Sequence, residues 1–403
     1  MYLGIDIGAS FCKAVVIEQN VNVLYTARKK MPNSINTESV KYVEYDISEI
    51  LRLIYDLIKS ISHKVLMRID GIGISGQMHG ILLLDGLNNP VTNFISWQDQ
   101  RATDFIFKSQ ETYLNILKDN LQKYRSLTGT DLRSGMMGPL LFWFKRNGYL
   151  HNNAEIKATF ISDYIVSVLT EKEPLCDPTN ASGSGIYNIK DGEWLNEYFE
   201  ITGIDCNILP NLVETKSLAG QLAYSQSKEL NMKQGTPVYV SIGDYQAALI
   251  SSNLDDMSIS INVGTGAQVS LLSNEYINTV NYEIRPYINN TFLKCVTGLP
   301  GGRLLGQFEK FLKNIFHEFS FSTGKLDILY ELDSVCVKTI SDTDIVCKPN
   351  FFDNNIDSNS GFLNITKSNF NIKELYYSTI KACVQEYYNS FNKIKIPITD
   401  KID

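Results

Sequence analysis

The sequence predicts a two-domain α/β protein. Three observations carry that expectation. The chain has 403 residues, more than one hydrophobic core usually serves. Each half holds a strand–glycine turn–strand unit, "GIDIGASFCK" from Gly4 and "INVGTGAQVS" from Ile261. Between buried strands lie segments with helical apolar spacing. Hydrophobic residues at 44% and charged residues at 20% suit a soluble globular chain with a sizeable core.

Taken in order, "YLGIDI" and "CKAVVIE" read as strands around a Gly-Ala-Ser turn, and "VNVLYTARKK" reads as a third. Asp46 and Glu49 have capping-box spacing. They open a helix whose Ile47, Ile50, Leu51, Ile54, Leu57, Ile58 and Ile61 share one face. A strand follows at about 69–75. Helices are expected over "YLNILKDNLQKY" and from Pro139 to Asn147, with Gly148 after the end. "VYVSI" (238–242) is a buried strand, Gly243-Asp244 a turn, and "YQAALISSNL" a helix. "MSISINV", Gly264-Thr265-Gly266 and "AQVSLLS" form the second hairpin. It repeats the first in architecture more than in residues. The polar stretch "AYSQSKELNMKQGTP" suggests a boundary near 235/236.

The net charge of −7 and the lack of a long basic run argue against nucleic acid and anionic membrane as partners. No apolar run approaches the roughly 20 residues needed to span a bilayer, and no leader pattern precedes the first strand. Seven dispersed cysteines without a C-x-x-C read as reduced thiols of a cytoplasmic chain.

Four stretches carry chemistry. "GIGISGQMHG" (71–80) begins with G-x-G-x-x-G, a dinucleotide signature only when it opens a helix. Here the glycines sit in an apolar run followed by Gln-Met-His-Gly, so a glycine-rich central strand fits better than a nicotinamide site. Gln77, Met78 and His79 could bind a polyol, two by hydrogen bonds and one by apolar contact. Trp97-Gln98-Asp99 adds an aromatic platform and polar groups, or is a surface turn with a buried Trp. In "DIGASFCK", a tight turn lets backbone N–H groups approach an anion, and Asp6 could hold hydrated Mg²⁺ against phosphate. A plain hairpin is the alternative. Asp244, between a strand and a helix, is either an N-cap or a general base for phosphoryl transfer to a hydroxyl.

In combination these motifs resemble the FGGY family of carbohydrate kinases. Six segments match in order over nearly the whole chain: "GIDIGASFCK", "GISGQMHG", "SWQDQR", "DPTNASGSGIYN", "GDYQAAL" and "INVGTGAQVS". The resemblance implies the two-domain actin-like, ribonuclease H-like ATPase fold. A sugar-binding domain would span 1–235 and a nucleotide-binding domain 236–403, the latter ending before the family's adenosine loop. It implies transfer of phosphate from ATP, with Mg²⁺, to the terminal hydroxyl of a small-molecule sugar, in a monomer or homodimer. Gln-Met-His-Gly is shared by xylulokinases and sedoheptulokinases. Trp-Gln-Asp and Gly-Asp-x-Gln-Ala point to sedoheptulose, and "DPTNASGSGIYN" to D-xylulose. A kinase-inactive sugar-binding or regulatory protein is the alternative of another class.

By the same resemblance Asp244 would be the catalytic base. Gln77, Met78, His79, Trp97 and Asp99 would line the sugar pocket. Asp6 would position Mg²⁺ through water. Gly8, Ala9, Ser10 and Lys13 would contact phosphate from one domain, and Gly264, Thr265 and Gly266 from the other. Gly301 and Gly302 would begin a helix near the nucleotide. Ala9 stands where the family commonly has Thr, which removes one hydroxyl from that turn.

Overall fold

The computed structural model describes residues 1–150, 155–252, 258–264, 266–277, 279–319, 327–339, 342–349 and 360–395. The chain divides into two compact units. One is Met1–Asn253 with Asn274–Asn278 and Ile284–Phe292, and the other is Leu254–Ser273, Thr279–Glu283 and Leu293–Asp403.

The first unit is built on a seven-stranded sheet. Strands β1 (Tyr2–Ile7), β2 (Phe11–Ile17) and β3 (Val23–Lys30) run antiparallel in succession. Alternation decides which face each residue takes. Leu3, Ile5 and Ile7 of β1 and Cys12, Ala14 and Val16 of β2 are buried. On the other face, register pairs Asp6 with Lys13 and Gly4 with Val15.

Helix α1 (Ile47–Lys59) covers the buried face with Ile50, Ile54, Leu57 and Ile58. It starts where expected because Asp46 accepts a hydrogen bond from the Ser48 N–H at 2.7 Å. Strand β4 (Gly71–Gly76) lies parallel to β1 and contains the G-x-G-x-x-G residues. A strand interior cannot offer a helix N-terminus to a pyrophosphate, so the dinucleotide alternative fails on geometry. Helices α2 (Tyr113–Leu121) and α3 (Met137–Arg146) help form a second core around Leu117, Leu140, Leu141 and Phe160. Helix α3 begins two residues before the expected Pro139. Helix α4 (Ile161–Thr170) packs on the sheet beside α1.

The five-residue helix α5 (Pro178–Ser182) follows Asp177. Strand β5 (Leu218–Gln221) pairs antiparallel with β6 (Pro237–Tyr239). Both β6 and β7 (Ile242–Gly243) run parallel to β4, and helix α6 (Asp244–Ser251) follows at once. Residues 237–251, assigned on sequence to the second domain, therefore pair and pack within the first sheet. The order β5-β6-β4-β1-β2-β3 brings the C-terminal ends of β1, β4 and β7 side by side. Sites of α/β proteins collect at such strand ends.

The second unit holds the antiparallel hairpin β8 (Ile259–Val263) and β9 (Ala267–Ser273), with β10 (Phe292–Leu299) next to β9. Helix α7 (Gly302–Glu318) follows β10, then α8 (Ile328–Thr339) and the long α9 (Ile372–Lys395). Helix α9 packs on β9, where Ile394 joins Val269. The Tyr387 hydroxyl donates to the Pro300 carbonyl at 2.6 Å. The expected helix end at Asn253–Leu254 and strand start at Met257 lie outside the described residues. Among the described residues, no helix is long and apolar enough to cross a membrane.

Candidate active site

Asp6 is the penultimate residue of β1, and its neighbours in register are Lys13 on β2 and Ser75 on β4. Lys13 Nζ donates to Asp6 Oδ2 at 2.9 Å, and Ser75 Oγ donates to Oδ1 at 3.0 Å. Gly8, Ala9 and Ser10 form the turn just beyond, closed by the Gly8 N–H to the Phe11 carbonyl at 3.2 Å. Asp6, Lys13 and Ser75 also border a cleft of about 820 Å³ on the sheet face away from the core. None of the five sugar-pocket candidates lines that cleft, whose floor is Gly4, Gly73, Val15 and Tyr239.

Asp244 opens α6 at the end of β7. Its Oδ1 accepts the N–H of Tyr245 at 2.8 Å. Burial lifts its pKa from 3.8 to about 6, and the negative charge of Asp6 adds to the rise. The Tyr245 N–H, Arg285 and Lys13 oppose it. A carboxyl poised near neutrality can take up a proton and release it again, as a general base must.

Arg285 was not legible in the local sequence pattern. It is buried, with its guanidinium 5.7 Å from the Tyr245 ring centroid and Nη1 3.7 Å from Met78 Sδ. Gln246, read on sequence only as part of the Gly-Asp-x-Gln-Ala pattern, is also buried. Its Nε2 donates to the Pro286 carbonyl at 3.2 Å, and its Oε1 lies beside Gly243 with no hydrogen-bond partner among the described residues.

The Gln77-Met78-His79 segment follows β4. Gln77 and Met78 are buried, and Gln77 Oε1 has no hydrogen-bond partner among the described residues. His79 Nδ1 lies 2.6 Å from the Gly183 carbonyl. A carbonyl only accepts, so the neutral ring carries its proton on Nδ1 and Nε2 is the acceptor nitrogen. Gly80 has φ +91°, and a Cβ there would sit 2.5 Å from the Ile95 carbonyl oxygen, so the segment needs glycine at that position. Met78 and Gly243 are close neighbours, since a Cβ on Gly243 would fall 3.5 Å from Met78 Sδ. The sugar-segment candidates and the base candidate therefore converge.

Trp97 is 37% exposed, as a platform requires. Asp99 departs from expectation. It is wholly buried, and it accepts from the Val43 N–H at 2.8 Å, the Arg101 N–H at 2.8 Å, and Arg101 Nε and Nη2 at 2.9 Å each. Arg101 also bonds Glu44 at 2.6 Å. With its oxygens so engaged, Asp99 anchors the loop that presents Trp97 and is not part of a pocket lining.

In the second unit, the glycine turn and the start of α7 form one cluster. The Gly302 N–H donates to the Gly264 carbonyl at 2.8 Å, and the Gly264 N–H to the Gly266 carbonyl at 2.9 Å. A Cβ on Gly301 would meet the Gly266 carbonyl carbon at 2.9 Å, so only glycine permits that approach. The cluster presents the positive end of a 17-residue helix beside a tight turn, an arrangement suited to phosphate. Thr265 lies outside the described residues.

Mg²⁺ fits what is present in the first unit. The charge of Asp6 adds to the cost of ionising Asp244, and Ser75 beside Asp6 adds a hydroxyl. Such an all-oxygen set suits a hard divalent cation, which would relieve the repulsion.

The chain is 31% identical to a probable L-xylulose kinase of Haemophilus influenzae over 275 residues, 67% of this chain and 55% of that protein. It is 24% identical to a sedoheptulokinase of Mus musculus over 340 residues, 76% of this chain and 67% of that protein. The chain thus spans about half the length of the first and two thirds of the second. A crystal structure of ligand-bound xylulose kinase from Lactobacillus acidophilus superposes with a TM-score of 0.83 at 21% identity, over 99% of this chain and 79% of that one. The α/β architecture is therefore the actin-like fold of sugar kinases. Residues 1–251 match the sequence profile of the FGGY family of carbohydrate kinases, N-terminal domain, and the chain belongs to that family.

Proposed function

We propose that the protein phosphorylates a ketose at its terminal hydroxyl at the expense of ATP, with sedoheptulose ahead of D-xylulose. One observation carries the reading. Asp244 is a carboxyl with its pKa near 6 at a strand end, beside Met78 of the sugar segment and within the field of Asp6 and Lys13. The sugar would lie against Gln77, Met78, His79 and Trp97, with Asp244 accepting the proton of its reacting hydroxyl. Such a base contributes roughly 10²–10⁴ in rate. In the first unit, Lys13 and the N–H groups of the Gly8-Ala9-Ser10 turn would receive phosphate oxygens. The second unit's own candidate phosphate cluster is Gly264, Gly266, Gly301 and Gly302. Positioning and charge stabilisation supply most of the catalysis in phosphoryl transfer. Asp6 would hold Mg²⁺ through water, and bound Mg²⁺ neutralises phosphate charge. The Gly-Asp-x-Gln-Ala pattern, with Gln246 buried beside the base, supports sedoheptulose.

An ADP-release assay over sedoheptulose, D-xylulose and L-xylulose, paired with calorimetric titrations of each sugar and of Mg·ATP, tests the reading. Sedoheptulose turnover at least about tenfold above the others is expected, a preference within reach of a few pocket contacts. Sugar heat with no nucleotide heat and no ADP would replace the reading with a sugar-binding protein.

The pH profile should follow Asp244. The base works only when deprotonated, so turnover should fall about tenfold per unit as pH drops below about 6 and level off above it. The charged groups that set this midpoint are Asp6, Lys13 and Arg285. A profile flat from pH 5 to 8 would remove Asp244 from the role.

A further inference from the structure

The segment Asp177–Gly183 has no part in the reaction as described, yet it grips both halves of the site. We propose that Asp177, Thr179 and Asn180 are positioning residues that fix the strand end carrying Asp244, and that Gly183 ties this same brace to His79. The inference rests on the ketose-kinase reading for its chemistry, but its geometry stands alone.

The grip begins at Asp177, which is wholly buried. Its Oδ1 accepts the Thr179 hydroxyl at 2.7 Å and the Asn180 N–H at 3.0 Å, and its Oδ2 accepts the Thr215 hydroxyl at 2.8 Å. With the Thr179 proton committed to Asp177, the hydroxyl oxygen can only accept on its other side. It accepts the Gly243 N–H at 2.8 Å. Gly243 is the residue before Asp244, so this bond sets where the catalytic backbone leaves β7.

A second hold lies two residues upstream. Asn180 Nδ2 donates to Ser241 Oγ at 2.8 Å and to Asp163 Oδ1 at 3.1 Å, and Ser241 Oγ also donates to Asp163. All three side chains are wholly buried. Alternate residues of one strand end, Ser241 and Gly243, are thus clamped by neighbouring residues of one five-residue helix.

At the far end of the helix, the Gly183 carbonyl receives His79 Nδ1 at 2.6 Å. The Gly183 backbone passes so close to Met78 that an added Cβ would lie 1.7 Å from the Met78 carbonyl oxygen. The base and the sugar-binding histidine are held to one short rigid element, and their spacing is set by it. A misplacement of about 1 Å at a reacting group can cost 10²-fold in rate, so such a clamp has a measurable consequence.

The test replaces Thr179 with Val, which keeps the shape and removes the acceptor, and with Ser, which keeps the hydroxyl. Thr179→Ala stands in if the valine variant does not fold. Hydrogen exchange is followed by mass spectrometry on the peptide spanning 240–246 of the full chain. Without its acceptor the Gly243 N–H loses protection, so exchange there should quicken about tenfold or more in Thr179→Val and stay near wild type in Thr179→Ser. In turnover, Thr179→Val should lose about tenfold or more in kcat with KM for sedoheptulose within about twofold, and Thr179→Ser should restore kcat. Unchanged exchange at 240–246 in Thr179→Val, or a kcat within about twofold of wild type, overturns the proposal. If the unaltered chain phosphorylates no ketose, the proposed function falls, and the exchange still decides whether the clamp exists.

Discussion

Asp244→Asn should lower ketose phosphorylation at least about 10²-fold, leave sugar binding within about threefold, and make the protein melt at a higher temperature near neutral pH. The two effects share one cause. In the folded chain the carboxyl has its pKa at about 6 against an ordinary 3.8, so folding favours the protonated form. As pH rises from about 4 to 6, ionising this group therefore costs stability, and the cost is fully present above 6. Asparagine cannot ionise and escapes it. The stability gain should shrink as pH falls and vanish below about pH 4, where wild-type Asp244 is protonated in both folded and unfolded states. Calorimetric melts at pH 4, 5.5 and 7 check the stability arm, and ADP release with isothermal titration of sedoheptulose checks the other. A gain in stability bought with activity is the mark of a strained functional group. Near-normal turnover in the variant would strike Asp244 from the mechanism.

Gly183→Ala should destabilise the first unit by about 3 kcal/mol or more and weaken sugar binding at least about tenfold. The added methyl would fall 1.7 Å from the Met78 carbonyl oxygen and 2.7 Å from its carbon. Both are backbone atoms, so no side-chain rotation relieves the clash. Either the helix Pro178–Ser182 or the chain at Met78 must shift, and His79 shifts with it through its bond to the Gly183 carbonyl. A fall in melting temperature of about 6–12 °C follows for a unit of this size. Circular-dichroism melts and calorimetry with sedoheptulose measure both effects. A melting temperature within about 2 °C of wild type would mean that the close approach is relieved at little cost.

Much of the fold was legible because it depends on local patterns. Alternation at Leu3, Ile5 and Ile7 and at Cys12, Ala14 and Val16 set the first hairpin, and the stripe from Ile47 to Ile58 with Asp46 before it set α1. The apolar surroundings of Gly71 and Gly73 placed them in a strand, where the structure has them. Asp244 was legible as a strand-to-helix junction. Asp99 was not legible as a buried anchor because the Val43 N–H that it accepts lies 56 positions upstream, and its partner Arg101 is held in turn by Glu44, 57 positions from Arg101. Arg285 reaches the site from beyond the second hairpin, and Thr179 reaches Gly243 across 64 positions. Both contacts join segments far apart in the chain, which periodicity does not encode. The polar stretch before Pro237 looks like a linker on sequence, yet it precedes an interior strand of the first sheet.

The Arg101 guanidinium lies 4.6 Å from the Tyr42 ring centroid and 5.0 Å from that of Trp143, locked between Asp99 and Glu44. Four residues away in sequence, Trp97 stands on this frozen footing. The backbone at Trp97 is further hemmed in by Gly135, where an added Cβ would fall 1.8 Å from the Trp97 carbonyl oxygen. A sugar docking there as proposed would meet main chain already held in place, with little entropic toll from stiffening it.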